Sequence, residues 1–190
     1  MASSCPTKRR IELLGNSEWL PAKPHGLMYS LHCTKKLLDR IKPTIAASLS
    51  PPTTALGNWY ATVLFWKPQV ALLVNGQTLL PVLMPLAPAS TLSARFPGEL
   101  AAVLGRHGVN RSTVERETRA MADVAFTKTA NRSVVGTMNE FAFLAEGDRE
   151  HLETVDLMIL SMRLADTPCS PIKYNSPARL LKELFGDAAS

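Results

Sequence analysis

The segment W-Y-A-T-V-L-F-W-K-P-Q-V-A-L-L-V-N-G-Q-T-L-L-P-V-L-M-P-L, residues 59–86, decides the fold class. It predicts three closely spaced strands, Trp59–Trp66, Val70–Asn75 and Thr78–Leu86. Lys67-Pro68-Gln69 reads as the first turn. Asn75-Gly76 is a two-residue hairpin signal, because both residue types tolerate positive φ. This antiparallel meander is expected at the centre of a sheet. Pro81 and Pro85 cannot donate ladder hydrogen bonds, so the third strand is expected at an edge or at a bulge.

Outward from the meander, the pattern alternates between strand and helix. Leu27–Cys33 reads as a strand, with Met28, Ser30 and His32 opposite Tyr29, Leu31 and Cys33. Thr34 caps a short predicted helix, Lys35–Ile41, stopped by Pro43. Residues 43–58 form a Pro/Ser/Thr-rich connection longer than usual, either a lid, a mobile loop or an ordered excursion. Pro97-Gly98-Glu99 opens a helix that closes at Gly105 or Gly108, and Ser112-Thr113-Val114-Glu115 reads as a capping box. Ala125–Thr129 predicts a further strand. The helix after it presents Val134, Met138, Phe141 and Ala145 at helical spacing. Glu150–Leu164 reads as one strongly apolar helix, deeply buried or part of a subunit contact. Ser176-Pro177 starts a last helix, ended by Gly186. The expectation is an α+β fold, with an antiparallel sheet of about four to five strands packed against helices. Residues 1–26 read as a basic N-terminal extension and 27–190 as a single α+β domain.

Composition narrows the function classes. The chain has 190 residues, 46% hydrophobic and 19% charged, which suits one folded core. The net charge of +5 lies in residues 1–42, where eight Lys or Arg face Glu12, Glu18 and Asp39. Beyond residue 42, thirteen basic and thirteen acidic residues balance. A basic arm attracts phosphate backbones, and it also simply solubilises. The cysteines, Cys5, Cys33 and Cys169, are widely spaced and form no CxxC pair. This argues against a zinc site or a disulfide framework and for reduced thiols in the cytoplasm. The N-terminus has no apolar core of a signal peptide, and Val70–Pro88 is broken by Asn75, Gly76, Gln77, Pro81 and Pro85, so no membrane span is expected.

The chemistry-bearing residues gather in A-F-T-K-T-A-N-R-S-V-V-G-T-M-N-E-F-A-F-L, residues 125–144. Here a strand, a polar loop and a helix start bring together Lys128, Arg132, Ser133 and helix amides. These are the ingredients of a phosphate or carboxylate site. The same residues also fit a plain helix cap with Lys128 and Arg132 in water. Asn139, seven residues after Arg132, falls on roughly the same helix face. Lys35 and Lys36 sit in a helix first turn, where the dipole disfavours cations, so they either point into water or meet an anion. Trp59, Tyr60, Phe65 and Trp66 fit either a core strand or a base-stacking surface. No Walker loop, G-x-S-x-G elbow or metal-ligand histidine spacing occurs, and His32 and Cys33, adjacent on a strand, point to opposite faces. No metal or cofactor is expected.

Four segments carry a resemblance: H-C-T-K-K-L-L-D-R-I (32–41), W-Y-A (59–61), V-N-G-Q-T (74–78) and F-T-K-T-A-N-R-S-V-V-G-T-M-N-E (126–140). Together they resemble a small bacterial family known only as a domain of unknown function, which includes plasmid-borne reading frames. The resemblance spans about residues 28–146. It implies no activity. It implies that Lys35, Trp59, Asn75, Thr78, Lys128, Arg132 and Asn139 fall at motif positions and are candidate ligand residues.

The expected function is a non-catalytic binding module for an anionic ligand, with nucleic acid or a nucleotide as the class. Lys128, Arg132 and Ser133 would contact it, and Lys35 and Lys36 would extend the positive surface. Two alternatives stand beside it. One is a small enzyme acting on a phosphorylated or carboxylated substrate. The other is a structural protein forming a homodimer through Glu150–Leu164.

Overall fold

A computed structural model describes residues 28–150 and 155–186. The basic extension, residues 1–26, lies outside them. In chain order, the elements begin with β1 (Met28–Cys33), α1 (Lys35–Ile41), β2 (Trp59–Leu64), β3 (Val70–Asn75) and β4 (Pro81–Pro85). They continue with α2 (Leu92–Arg106), α3 (Arg111–Arg119), β5 (Asp123–Lys128), α4 (Arg132–Glu150), α5 (Leu157–Ala165) and α6 (Pro177–Gly186). The fold is α+β, with five strands in the order β4-β3-β2-β1-β5.

The meander forms as the sequence predicts: β2–β3 and β3–β4 are antiparallel, with Trp59 opposite Asn75 and Val70 opposite Pro85. Its place in the sheet differs from the expectation. β1 pairs with β2 in parallel (Leu31 opposite Trp59), and β5 pairs with β1 in parallel (Leu31 opposite Phe126). The central strand is therefore β2, and the meander fills one side. β4 lies at the edge, where the missing N–H groups of Pro81 and Pro85 cost no ladder bonds. At that edge the Leu83 N–H donates to Ser161 Oγ of α5 at 2.8 Å.

Both faces of the sheet are covered, which is why β2 and β3 are apolar at almost every position. On one face, Leu31, Trp59, Ala61 and Leu73 pack with Leu37 of α1, Phe96 and Leu100 of α2 and Leu181 of α6. Phe96 meets the Trp59 ring edge-on, centroids 4.9 Å apart. The other face carries Leu72 and Val74 against Met138 and Phe141 of α4 and Leu160 of α5. Alternation along β2 sends Trp59 to the first face and Tyr60 to the second.

Several local expectations are corrected. The helix read from Pro97 begins at Leu92 and carries Pro97 inside it, because Leu92 and Phe96 are buried and hold the preceding turn. α3 is capped by Asn110, whose Oδ1 accepts the Thr113 N–H at 2.8 Å; Ser112 donates to that same Oδ1, and Glu115 pairs with Arg111. No capping box forms. The Asn75-Gly76 turn is a longer loop in which Leu79, not Asn75 or Gly76, takes positive φ (59°). Asn75 Oδ1 accepts from the N–H groups of Gln77 and Thr78 and from the Thr78 hydroxyl, so its side chain builds the loop. Gly76 is needed for another reason: a Cβ there would lie 3.1 Å from the Asn58 carbonyl and from the Tyr60 ring. Finally, Glu150–Leu164 is not one helix. α4 ends at Glu150 and α5 starts at Leu157, with Asp156 Oδ1 accepting from Met158 and Ile159. Leu160 and Leu164 of α5 are buried in the chain's own core.

The connection 43–58 is an ordered excursion. The Ala46 N–H donates to the Phe126 carbonyl at 2.9 Å, bridging the outer side of β5. Farther on, Glu117 of α3, 2% exposed, accepts the N–H groups of Ala55 (2.9 Å) and Leu56 (2.8 Å). A buried carboxylate is tolerable here because charge-assisted bonds replace its water. Glu117→Ala orphans the buried Leu56 N–H. We expect a loss of about 1–3 kcal/mol, read as a lower urea midpoint with an unchanged m-value.

Candidate anion-binding cleft

Because β1, β2 and β5 run in parallel, their carboxyl ends share one rim of the sheet. Parallel strands place their following loops there, and that rim is the usual ligand side of such sheets. A cleft of about 520 Å³ opens at the ends of β1 and β5. Cys33 and Lys128–Thr129 come from the strand ends, Lys35, Leu38 and Asp39 from one flank of α1, and Lys42, Pro43 and Ile45 from the loop after it. Residues 35, 38, 39 and 42 share that flank by helical spacing, while Leu37 turns into the core.

The charge of the cleft is unbalanced. Lys35, Lys42 and Lys128 face a single acid, Asp39. None of the three lysines is in an ion pair among the described residues. The Thr129 N–H closes onto the Cys33 carbonyl at 3.1 Å, yet its hydroxyl, at the cleft wall, has no hydrogen-bond partner among the described residues. The arrangement offers ammonium groups to an anion.

Cys33 supplies no nucleophile to the cleft. Its side chain is buried against β1, and burial pushes the thiol up to about 12, so it stays protonated at neutral pH. His32 lies on the opposite face, stacked on Tyr60 with ring centroids 4.6 Å apart. Burial holds its pKa below the ordinary histidine value, partly offset by a hydrogen bond to the Lys128 backbone.

The sequence candidates divide sharply in space. Lys35 and Lys128 come together at the cleft, although 93 residues separate them in sequence. Lys36 sits on the other flank of α1, its Nζ 5.8 Å from the Phe65 ring centroid. Arg132 and Asn139 are exposed on α4 and do not line the cleft. Ser133 is not the cap of α4. Asn131 is, with its Oδ1 accepting the N–H groups of Ser133 (3.0 Å) and Val134 (3.3 Å). Those amides are therefore not free for a ligand. Trp59 and Asn75 are fully buried and Thr78 is 4% exposed. Trp59 fills the core and the other two build the β3–β4 loop, so none of the three is placed to touch a ligand.

Lys42 was missed by sequence reasoning. It ends α1 in the left-handed region (φ 46°), which turns the chain at the cleft wall. The signal was weak: a lysine just before Pro43. Thr34, the expected cap, has the right backbone but no capping hydrogen bond, because its hydroxyl meets Thr62 Oγ1 at 3.0 Å.

A second groove, about 670 Å³, lies between the end of β2 and α4, lined by Phe65, Trp66, Lys67, Phe143, Glu146 and Arg149 with Val63, Leu64 and Ala142 beneath. Phe65 is 54% and Phe143 78% exposed. Among the described residues, no group of His, Cys, Asp and Glu is arranged to hold a metal, and no helix is long and apolar enough to cross a membrane.

Burial gives the thiols a direct test. Burial also raises Cys169, to about 11. We expect Cys33 and Cys169 to resist iodoacetamide at pH 8 in the folded protein and to react in urea, read site by site by mass spectrometry.

No curated protein and no solved structure matches the chain. Residues 30–180, from β1 into α6, match the model of a family described as a domain of unknown function, DUF6933, and the chain belongs to that family.

Proposed function

We propose that this protein is a non-catalytic binding module for a phosphate-bearing ligand, nucleic acid or a nucleotide, held at the cleft between α1 and the end of β5. The observation that carries this reading is the convergence of Lys35, Lys42 and Lys128 on one cavity with Asp39 as its single acid. Three ammonium groups around one concavity repel each other, and an anion relieves that repulsion. Ammonium groups suit a phosphate as point charges. Arg132, at the start of α4, places a further cation at the same end of the sheet. Burial keeps the Cys33 thiol protonated at neutral pH, which disfavours covalent chemistry through that residue.

The test is titration of the full chain with inorganic phosphate, a mononucleotide and a short single-stranded oligonucleotide, at several salt concentrations. Replacing Lys35 and Lys128 together by Ala is expected to weaken binding about tenfold or more. For an oligonucleotide it is also expected to flatten the plot of log affinity against log salt by about 1.4, as two phosphates of a single strand go unneutralised. Both lysines are exposed, so an unchanged circular dichroism spectrum and Tm accompany the weaker binding. Equal affinity in wild type and double variant, or no binding by the wild type, overturns the reading.

A further inference from the structure

The cleft does not stand alone. α1 carries cations on both flanks: Lys35 and Lys42 toward the cleft, Lys36 and Arg40 toward Phe65. The Arg40 guanidinium lies 5.6 Å from the Phe65 centroid, and that of Arg149 lies 5.3 Å from the Trp66 centroid across the second groove. Phe65 and Phe143 remain largely exposed beside these cations. Burial is the ordinary fate of phenylalanine, so two exposed rings on one groove mark a surface that meets something. The acid in that groove, Glu146, is already paired with Arg149.

Resting on the anion-binding reading above, we infer that the ligand is a single-stranded nucleic acid. Its phosphate lies among Lys35, Lys42 and Lys128, and its next bases pass α1 and stack on Phe65 and Phe143. The charge of the surface selects this occupant. Aromatic faces rimmed by Lys36, Arg40 and Lys67 suit a polyanion with exposed π-faces. A duplex hides those faces in its stack. A mononucleotide would fill the lysine cleft and leave the second groove, which shares no lining residue with it, without an occupant. An acidic peptide would satisfy the cations and leave the exposed rings without a planar partner.

The experiment compares the full chain with Phe65→Ala, Phe143→Ala and Lys128→Ala, using inorganic phosphate, adenosine monophosphate, a single-stranded octanucleotide (RNA and DNA) and the matching duplex. All three side chains are exposed, so the variants are expected to fold, which their Tm checks. The single strand should bind more tightly than the mononucleotide and the duplex. Phe143→Ala and Phe65→Ala should each weaken the single strand by about fivefold or more and leave phosphate and mononucleotide unchanged. Lys128→Ala should weaken all of them. Octanucleotide affinity unaffected by both Phe variants, or a duplex bound more tightly than the single strand, overturns this inference while leaving the cleft reading in place. So does binding of phosphate or mononucleotide with no gain for the octanucleotide. No binding of any probe overturns both.

Discussion

The structure depends on the parallel pairing of β1 with both of its neighbours. Antiparallel strands are joined by a tight turn, but a parallel pair needs a crossover long enough to return the chain to the starting end. Between β1 and β2 that crossover is α1 and the excursion 43–58; from β4 to β5 it is α2 and α3. Both crossovers lay their apolar residues on one face of the sheet, and α4 and α5 cover the other, so β2 is buried on both sides. Each crossover also returns the chain so that β1, β2 and β5 end at one rim. The cleft is therefore a by-product of strand direction. Lys35 follows β1 and Lys128 ends β5, and paired parallel strands with ends in register bring them together.

The same constraint explains why the excursion 43–58 is ordered despite its composition. It has to cross the full length of the sheet, and it is held at each end of that journey. Ala46 bonds to β5, and Glu117 grips the backbone of Ala55 and Leu56. Thr53 adds bonds to both the N–H and the carbonyl of Met28 at the start of β1. Proline and serine content speaks to local preference, whereas these bonds come from residues far away in sequence.

That distinction marks what the sequence discloses. The strands β1, β3 and β5 and the helices α1 and α6 are legible because their signals are local: alternation, an apolar face, Pro177 after Ser176. The edge position of β4 follows from two prolines. The order of the sheet is not legible, since no local signal says that β5 lies beside β1. The site is half legible for the same reason. Lys35 and Lys128 stand out as cations at the ends of elements. Lys42 becomes visible only once α1 lies beside the end of β5, and the aromatic groove with Phe143 only once α4 lies across the sheet. Trp59, Asn75 and Thr78 mislead in the opposite way, because a motif position tells that a residue matters without telling whether it matters to a ligand or to the fold. Asn75 matters to the fold, through four hydrogen bonds that shape one loop and tie it to Leu56.

Both borders of the sheet are occupied by the chain itself. On the β4 side the Leu83 amide is taken by a serine hydroxyl of α5, and on the β5 side the Phe126 carbonyl is taken by the backbone of Ala46. An open border invites strand addition, the route by which many domains capture extended peptides or polymerise. Here an incoming strand would first have to displace α5 or peel away the excursion that walls the cleft. Recognition by this fold is thereby steered away from backbone-to-backbone zippering and toward side chains at the rim, where its unspent charges and rings lie.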